Sequence, residues 1–188
     1  MDNSSPSGIP EFNSDDVVKT EVIAHERFKS DRSAARYVAL QVLYEFDSVG
    51  HQIGDVLNHQ LALRELNLDE LDIEALSPKA ARILNRLVMA VAENRDGLDA
   101  VIQHYAQEWP LNQVAIVDRN ILRMAVCEFA ILERVMPAIA IDEAVRLAKW
   151  FGSDGTPRFV NGVLGAIAND LDQVKSLLSE KQVNKDSE

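Results

Sequence analysis

The sequence predicts an all-α fold, and three observations carry that prediction. Apolar residues recur at three- and four-residue steps along most of the chain, and no segment alternates as a half-buried strand does. Only 8 glycines and 6 prolines are spread over 188 residues, too few for the frequent tight turns of an all-β chain. Ser77-Pro78 and Thr156-Pro157 stand where apolar stripes begin, and a cap residue followed by proline is a helix start signal. A hydrophobic share of 47 % allows a packed interior, in one domain or two small lobes with a shared core. The expected architecture is six or seven helices in two small packed bundles, over about 30–105 and 106–179.

Residues 1–29 open on the polar stretch MDNSSPSGIP and are expected to form a flexible arm, with too little apolar surface to order itself. From about Ser30, Ala35, Val38, Ala39, Val42, Leu43 and Phe46 mark one helical face, and Gly50 closes it. A second helix is expected over Asp55–Leu66, with Val56, Leu57, Leu61 and Leu66 inward, and the acidic NLDELDIEAL then reads as a connection. Behind Ser77-Pro78, Ala81, Leu84, Leu87, Val88 and Val91 line a face, and the helix is expected to run on past Gly97 to Tyr105 before Trp109-Pro110. A buried helix follows over Val117–Leu132. Pro137 ends the connection that follows, and Ala144, Val145, Leu147, Ala148 and Phe151 line another helix that Gly152 ends.

Asn161-Gly162 would ordinarily signal a hairpin. Here Phe159, Val160, Val163, Leu164, Ile167, Leu171, Val174 and Leu178 keep a helical stripe for about five turns, so the helix is preferred. A glycine inside it costs about 1 kcal/mol relative to alanine, which points to close approach of a neighbour or ligand at Gly162. Arg158 and Asn161 are then expected in the first turn of that helix, where free N–H groups favour an anion. The last residues, 180–188, read as a polar tail.

Net charge is −11, which argues against a protein that coats nucleic acid without specificity. Locally, however, Arg27, Lys29, Arg32 and Arg36 face only Asp31 over 27–36, a balance of +3. Over 65–74 five acidic residues stand without a base. No apolar run is long enough for a membrane span and no signal peptide opens the chain, so a cytoplasmic setting is expected. The single cysteine, Cys127, excludes an internal disulfide and reads as a buried apolar residue.

An enzyme needs a nucleophile with its base, a metal-ligand cluster or a phosphate-binding glycine loop. The four histidines are dispersed, and the glycines after 152 follow no strand. Asp118-Arg119 and Asp142-Glu143 sit near helix starts, where carboxylates serve as caps and dipole partners. No catalysis, cofactor or metal is expected. Arg32 and Arg36, four apart on the first helix with Tyr44 further along, suit single-stranded RNA, whose phosphates take guanidiniums and whose bases stack on rings. The competing reading is a solvated basic helix end. Trp109 and Trp150 are undecided between core and surface.

Several segments together resemble the NusB family of bacterial transcription antitermination factors: AARYVALQVLYEFD, WPLNQVAIVDRNILRMAVCEF, PAIAIDEAVRLAKWFG and RFVNGVLGAI, in that order, from about Asp31 to Leu171. The resemblance implies an all-helical RNA-binding protein without enzymatic activity. Its partners would be NusE, a small-subunit ribosomal protein, boxA-type RNA in ribosomal RNA leaders, and the elongating RNA polymerase with other Nus factors; a homodimer is compatible with it. Carried over by position, the RNA surface would comprise Arg32, Arg36, Gln41, Tyr44, Arg158, Phe159 and Asn161, two remote segments forming one surface. Asp118 would centre the partner surface, with Glu128 structural. The arginine run is thinner than in many relatives, with Ser33 at one basic position and Gly155 at an often acidic or polar one. The alternative is the NusB-like front segment of a ribosomal RNA cytosine methyltransferase, which would require a following Rossmann-like domain.

Overall fold

The computed structural model describes residues 30–65 and 75–185. These form eight α-helices: α1 (Asp31–Val49), α2 (Ile53–Glu65), α3 (Pro78–Glu93), α4 (Arg95–Tyr105), α5 (Ile116–Val126), α6 (Pro137–Phe151), α7 (Thr156–Ala168) and α8 (Leu171–Lys185). The expected arm, most of the acidic connection with Leu66, and the basic residues Arg27 and Lys29 lie outside the described residues.

The start and stop signals act largely as their chemistry requires. The Ser30 hydroxyl accepts the Ser33 N–H at 3.2 Å and caps α1. Gly50 closes the helix at φ 75°, a left-handed conformation that glycine adopts without a Cβ penalty. Ser77 caps α3 through the Ala80 N–H at 3.0 Å, with Pro78 in the first turn.

Eight helices replace the expected six or seven because two stripes break without proline. The stripe from Pro78 to Tyr105 breaks at Asn94, whose side-chain amide donates to the Ala90 carbonyl at 2.8 Å; a short polar side chain here competes with the backbone ladder. The stripe from Phe159 to Leu178 breaks at Asn169-Asp170, residues that favour turns, and the Asp170 N–H returns to the Ile167 carbonyl. The chain expected as a tail from residue 180 is helical to Lys185.

Asn120 through Ala130 are buried without exception, so this segment is apolar-packed all round rather than along one stripe. At its end the ladder widens: Cys127–Ile131 form a π-turn, with the Leu132 N–H on the Cys127 carbonyl at 2.8 Å. Helices α1, α2 and α3 pack together on one side, and α5 joins them to α6 and α7. Helix α4, expected with the first bundle, packs chiefly on α8, α5 and α7. Its last residue, Tyr105, donates its hydroxyl to Asp170 at 3.0 Å, where α8 begins.

Two buried arginine clusters hold α1 against the rest. Arg123 on α5 is 2 % exposed and donates to both Asp99 oxygens at 2.6 Å, to Asp47 at 2.6 Å and to Asn120 at 2.9 Å. Burial works against its charge, but Asp99 and Asp47 outweigh it and the guanidinium pKa rises. Arg36 forms the second cluster.

Candidate nucleic-acid interface

The connection from α4 to α5 bends back over α4, and Gln103 holds it there. The Gln103 side-chain oxygen accepts the Leu111 N–H at 2.8 Å, and its amide nitrogen reaches the Ala106 and Trp109 carbonyls at 3.3 and 3.4 Å. This bracing presents Trp109 to solvent, 59 % exposed. Its ring meets Phe159 of α7 edge to face, with centroids 6.2 Å apart. The two rings, with Tyr105, Arg158 and Gly162, line an open cleft of about 780 Å³. Trp109 is the functional candidate that sequence reasoning left undecided; its only signal was a large apolar residue beside a helix-stopping proline. Trp150 is half-buried against Phe151.

Helix α7 starts differently from the expected cap. Gly155, not Thr156, is the N-cap, and no side chain caps the helix. Thr156 instead accepts the Ser153 N–H at 3.0 Å and donates its hydroxyl to Asp118 at 2.9 Å. Asp118 thus supplies negative charge near the positive end of α7, part of the anion preference expected there. Burial pushes its pKa up, and the Thr156 hydrogen bond works the other way. Read as the centre of a partner surface, Asp118 is half-buried and its carboxylate braces α7. Gly152 makes this turn possible: a Cβ there would lie 2.5 Å from the Thr156 side chain. At Gly162, by contrast, nothing lies within 4 Å of an added Cβ. Close approach of a neighbouring helix is therefore not its reason, and the position opens onto the cleft. Arg158 is exposed in the first turn of α7, and Asn161 is exposed one turn further on rather than in the first turn.

On α1 the predicted residues separate. Tyr44 is 47 % exposed. Gln41 is half-buried, its side-chain Oε1 accepting from the buried Arg64 at 2.7 Å. Arg36 corrects the expectation of a phosphate ligand, since it is 3 % exposed. Its guanidinium lies on Glu128 with bonds of 2.7 and 2.9 Å and reaches Glu143 at 3.3 Å. The reason is its partners: one turn beyond Arg32, the Arg36 side chain meets Glu128 of the π-turn and Glu143 of α6. Glu128 is accordingly a structural partner. Arg32 is exposed and faces a different hollow, shared with basic residues of α3. The link from α1 towards the α6–α7 turn is aromatic, Tyr37 against Phe151 at 5.3 Å. Arg158 and Phe159 are thus brought to Trp109, while Arg32, Gln41 and Tyr44 stay on the α1 side.

Among the described residues no three His, Cys, Asp or Glu side chains gather as they would around a metal ion, and no helix is long and apolar enough to cross a membrane. Arg158, the exposed Trp109 with the half-buried Phe159 beside it, and Tyr44 can offer an RNA strand a cation and stacking faces.

Known proteins match this chain along most of its length. A transcription antitermination protein NusB of Chloroflexus aggregans is 39 % identical over 162 residues, covering 85 % of this chain and 97 % of that protein. Among solved structures, a NusB of T. maritima shares 29 % identity with a TM-score of 0.63, over 76 % of this chain and 94 % of that one. A crystal structure of the antitermination factors NusB and NusE in complex with double-stranded RNA contains a chain 26 % identical, TM-score 0.64, over 76 % and 98 %. The sequence profile of the NusB family matches residues 33–169; the chain belongs to the NusB family.

Proposed function

We propose that this chain is an RNA-binding antitermination adaptor. Together with NusE it holds a single-stranded boxA-type element in ribosomal RNA leaders, and the assembly rides on elongating RNA polymerase with other Nus factors and suppresses termination. The observation that supports this most is the exposed Trp109, set against the half-buried Phe159 with Arg158 on the same cleft, because an open ring face suits an unstacked base and an adjacent cation suits its phosphate. The solved relative bound to NusE holds double-stranded RNA; the ring pair here favours single strands, since paired bases present no face to stack on. The surface assigned to RNA comprises Arg32, Gln41, Tyr44, Arg158, Phe159 and Asn161, with Trp109 added. Arg36 acts behind it by fixing α1. Asp118 shapes the neighbouring NusE surface by bracing the start of α7. Relatives aligned almost end to end are antitermination proteins, which favours the adaptor over a methyltransferase segment.

The test is a titration of fluorescent boxA-type RNA with this protein, alone and with NusE, at several salt concentrations. Three or four phosphate contacts give a log–log salt slope of about −2 to −3. Binding should tighten with NusE and disappear on a scrambled RNA. Trp109→Ala should cost about 1–3 kcal/mol if one base stacks there. Equal affinity for the scrambled RNA, or none for either RNA with NusE present, overturns the reading.

A further inference from the structure

The adaptor reading leaves one concave surface unused apart from Arg32 at its rim. Arg32 of α1, Lys79, Arg82 and Arg86 of α3, and Arg134 after the π-turn surround a hollow of about 290 Å³. All five are exposed, on a chain whose net charge is −11. Nearby carboxylates are already engaged: Asp31 lies 3.3 Å from Lys79, and Glu128 is bound by Arg36. The side chains of Arg32, Arg82, Arg86 and Arg134 have no ion pair or hydrogen bond with another described residue. Leu87 and Leu132 contribute an apolar floor.

The backbone is shaped around this hollow. Directly after the π-turn, Glu133 adopts φ 48°, the only left-handed non-glycine among the described residues. Such a residue costs of order 1–2 kcal/mol, and both π-turns and left-handed non-glycines concentrate at functional sites. The consequence of this turn is to set Arg134 opposite α3. Lys79, Arg82 and Arg86, at steps of three and four, share one face of α3 and span about 10 Å of it. Guanidinium forks over an apolar floor match phosphate oxygens better than any neutral ligand.

We infer that this hollow grips backbone phosphates of the RNA that flanks the recognised element, carrying the strand from Arg32 across α3 to Arg134. This rests on the adaptor reading and extends it to a second, sequence-independent contact. Phosphate contacts carry no base information, so the flank's sequence should not matter.

The test uses the full chain, the Arg82→Ala/Arg86→Ala double variant and Arg134→Ala, with circular dichroism to check folding. Two RNAs are compared, one bearing the element alone and one with flanks on both sides. The wild type should bind the flanked RNA more tightly, whichever sequence the flanks have. The double variant should lose that gain, keep its affinity for the short RNA, and show a salt slope for the flanked RNA shallower by about 1.4. Unchanged affinity and slope in the variants overturn the hollow's role and leave the adaptor reading standing. Loss of NusE binding with flanked-RNA affinity intact also overturns it, assigning the hollow to protein. A wild type that binds neither RNA overturns both.

Discussion

Arg36 and Glu128 make a bidentate pair in which both side chains are under 10 % exposed. Pairs of this kind contribute little compared with well-packed apolar residues, but breaking one leaves a buried charge uncompensated. Glu128→Ala should therefore lower stability by about 3–5 kcal/mol, measured as a shift in the midpoint of chemical denaturation at constant slope. A loss under about 1 kcal/mol, the scale of an exposed pair, would show that Glu143 alone suffices for Arg36. The same pair marks where sequence reasoning failed at this scale. Arg32 and Arg36 are alike in type and lie four apart, and nothing local tells that the first reaches solvent while the second is buried. That difference is decided by Glu128 and Glu143, about a hundred residues away. Arg158 and Tyr44 were legible as exposed because their helices bury other faces.

Among elements, the turn between α6 and α7 has the least room for change. Gly152 leaves space that Thr156 fills, and Thr156 in turn binds Asp118 at the start of α5. Gly152→Ala would overpack this junction, at a cost of about 1–3 kcal/mol. Thermal unfolding measures the cost, and an unshifted midpoint would mean that Thr156 moves aside freely. The helices themselves were readable from periodicity, and Ser77-Pro78 and Gly50 gave two of their limits correctly. The breaks at Asn94 and Asn169-Asp170 were not readable, since one or two polar residues in an apolar stripe are ordinary in continuous helices. The π-turn was hidden for a different reason: it leaves the apolar pattern of Cys127–Ile131 intact and changes only which carbonyl each N–H meets. Trp109 needed the fold, because Gln103 rather than any local pattern turns it outward.

For the molecule as a whole, Cys127 offers a reporter. It is wholly buried beside Glu128 and α3, and burial, with Glu128 and Glu93 adding to it, pushes its thiol pKa up to about 12. Only the thiolate reacts, so labelling by a thiol reagent at neutral pH should require opening of the shared core. Its rate should track the global unfolding constant in increasing urea. Fast labelling without denaturant would mean that the π-turn region opens by itself. The shared core follows from α5, which touches α1, α4, α6 and α7 and carries Arg123, while the segment that continues it carries Glu128. These buried charges also bear on how the fold meets heat. Desolvating an ion costs less as temperature rises, whereas apolar burial levels off. Warming therefore shifts the balance of forces towards the arginine clusters, and the joints between α1 and α5 are the contacts whose relative weight grows most in a hot cell.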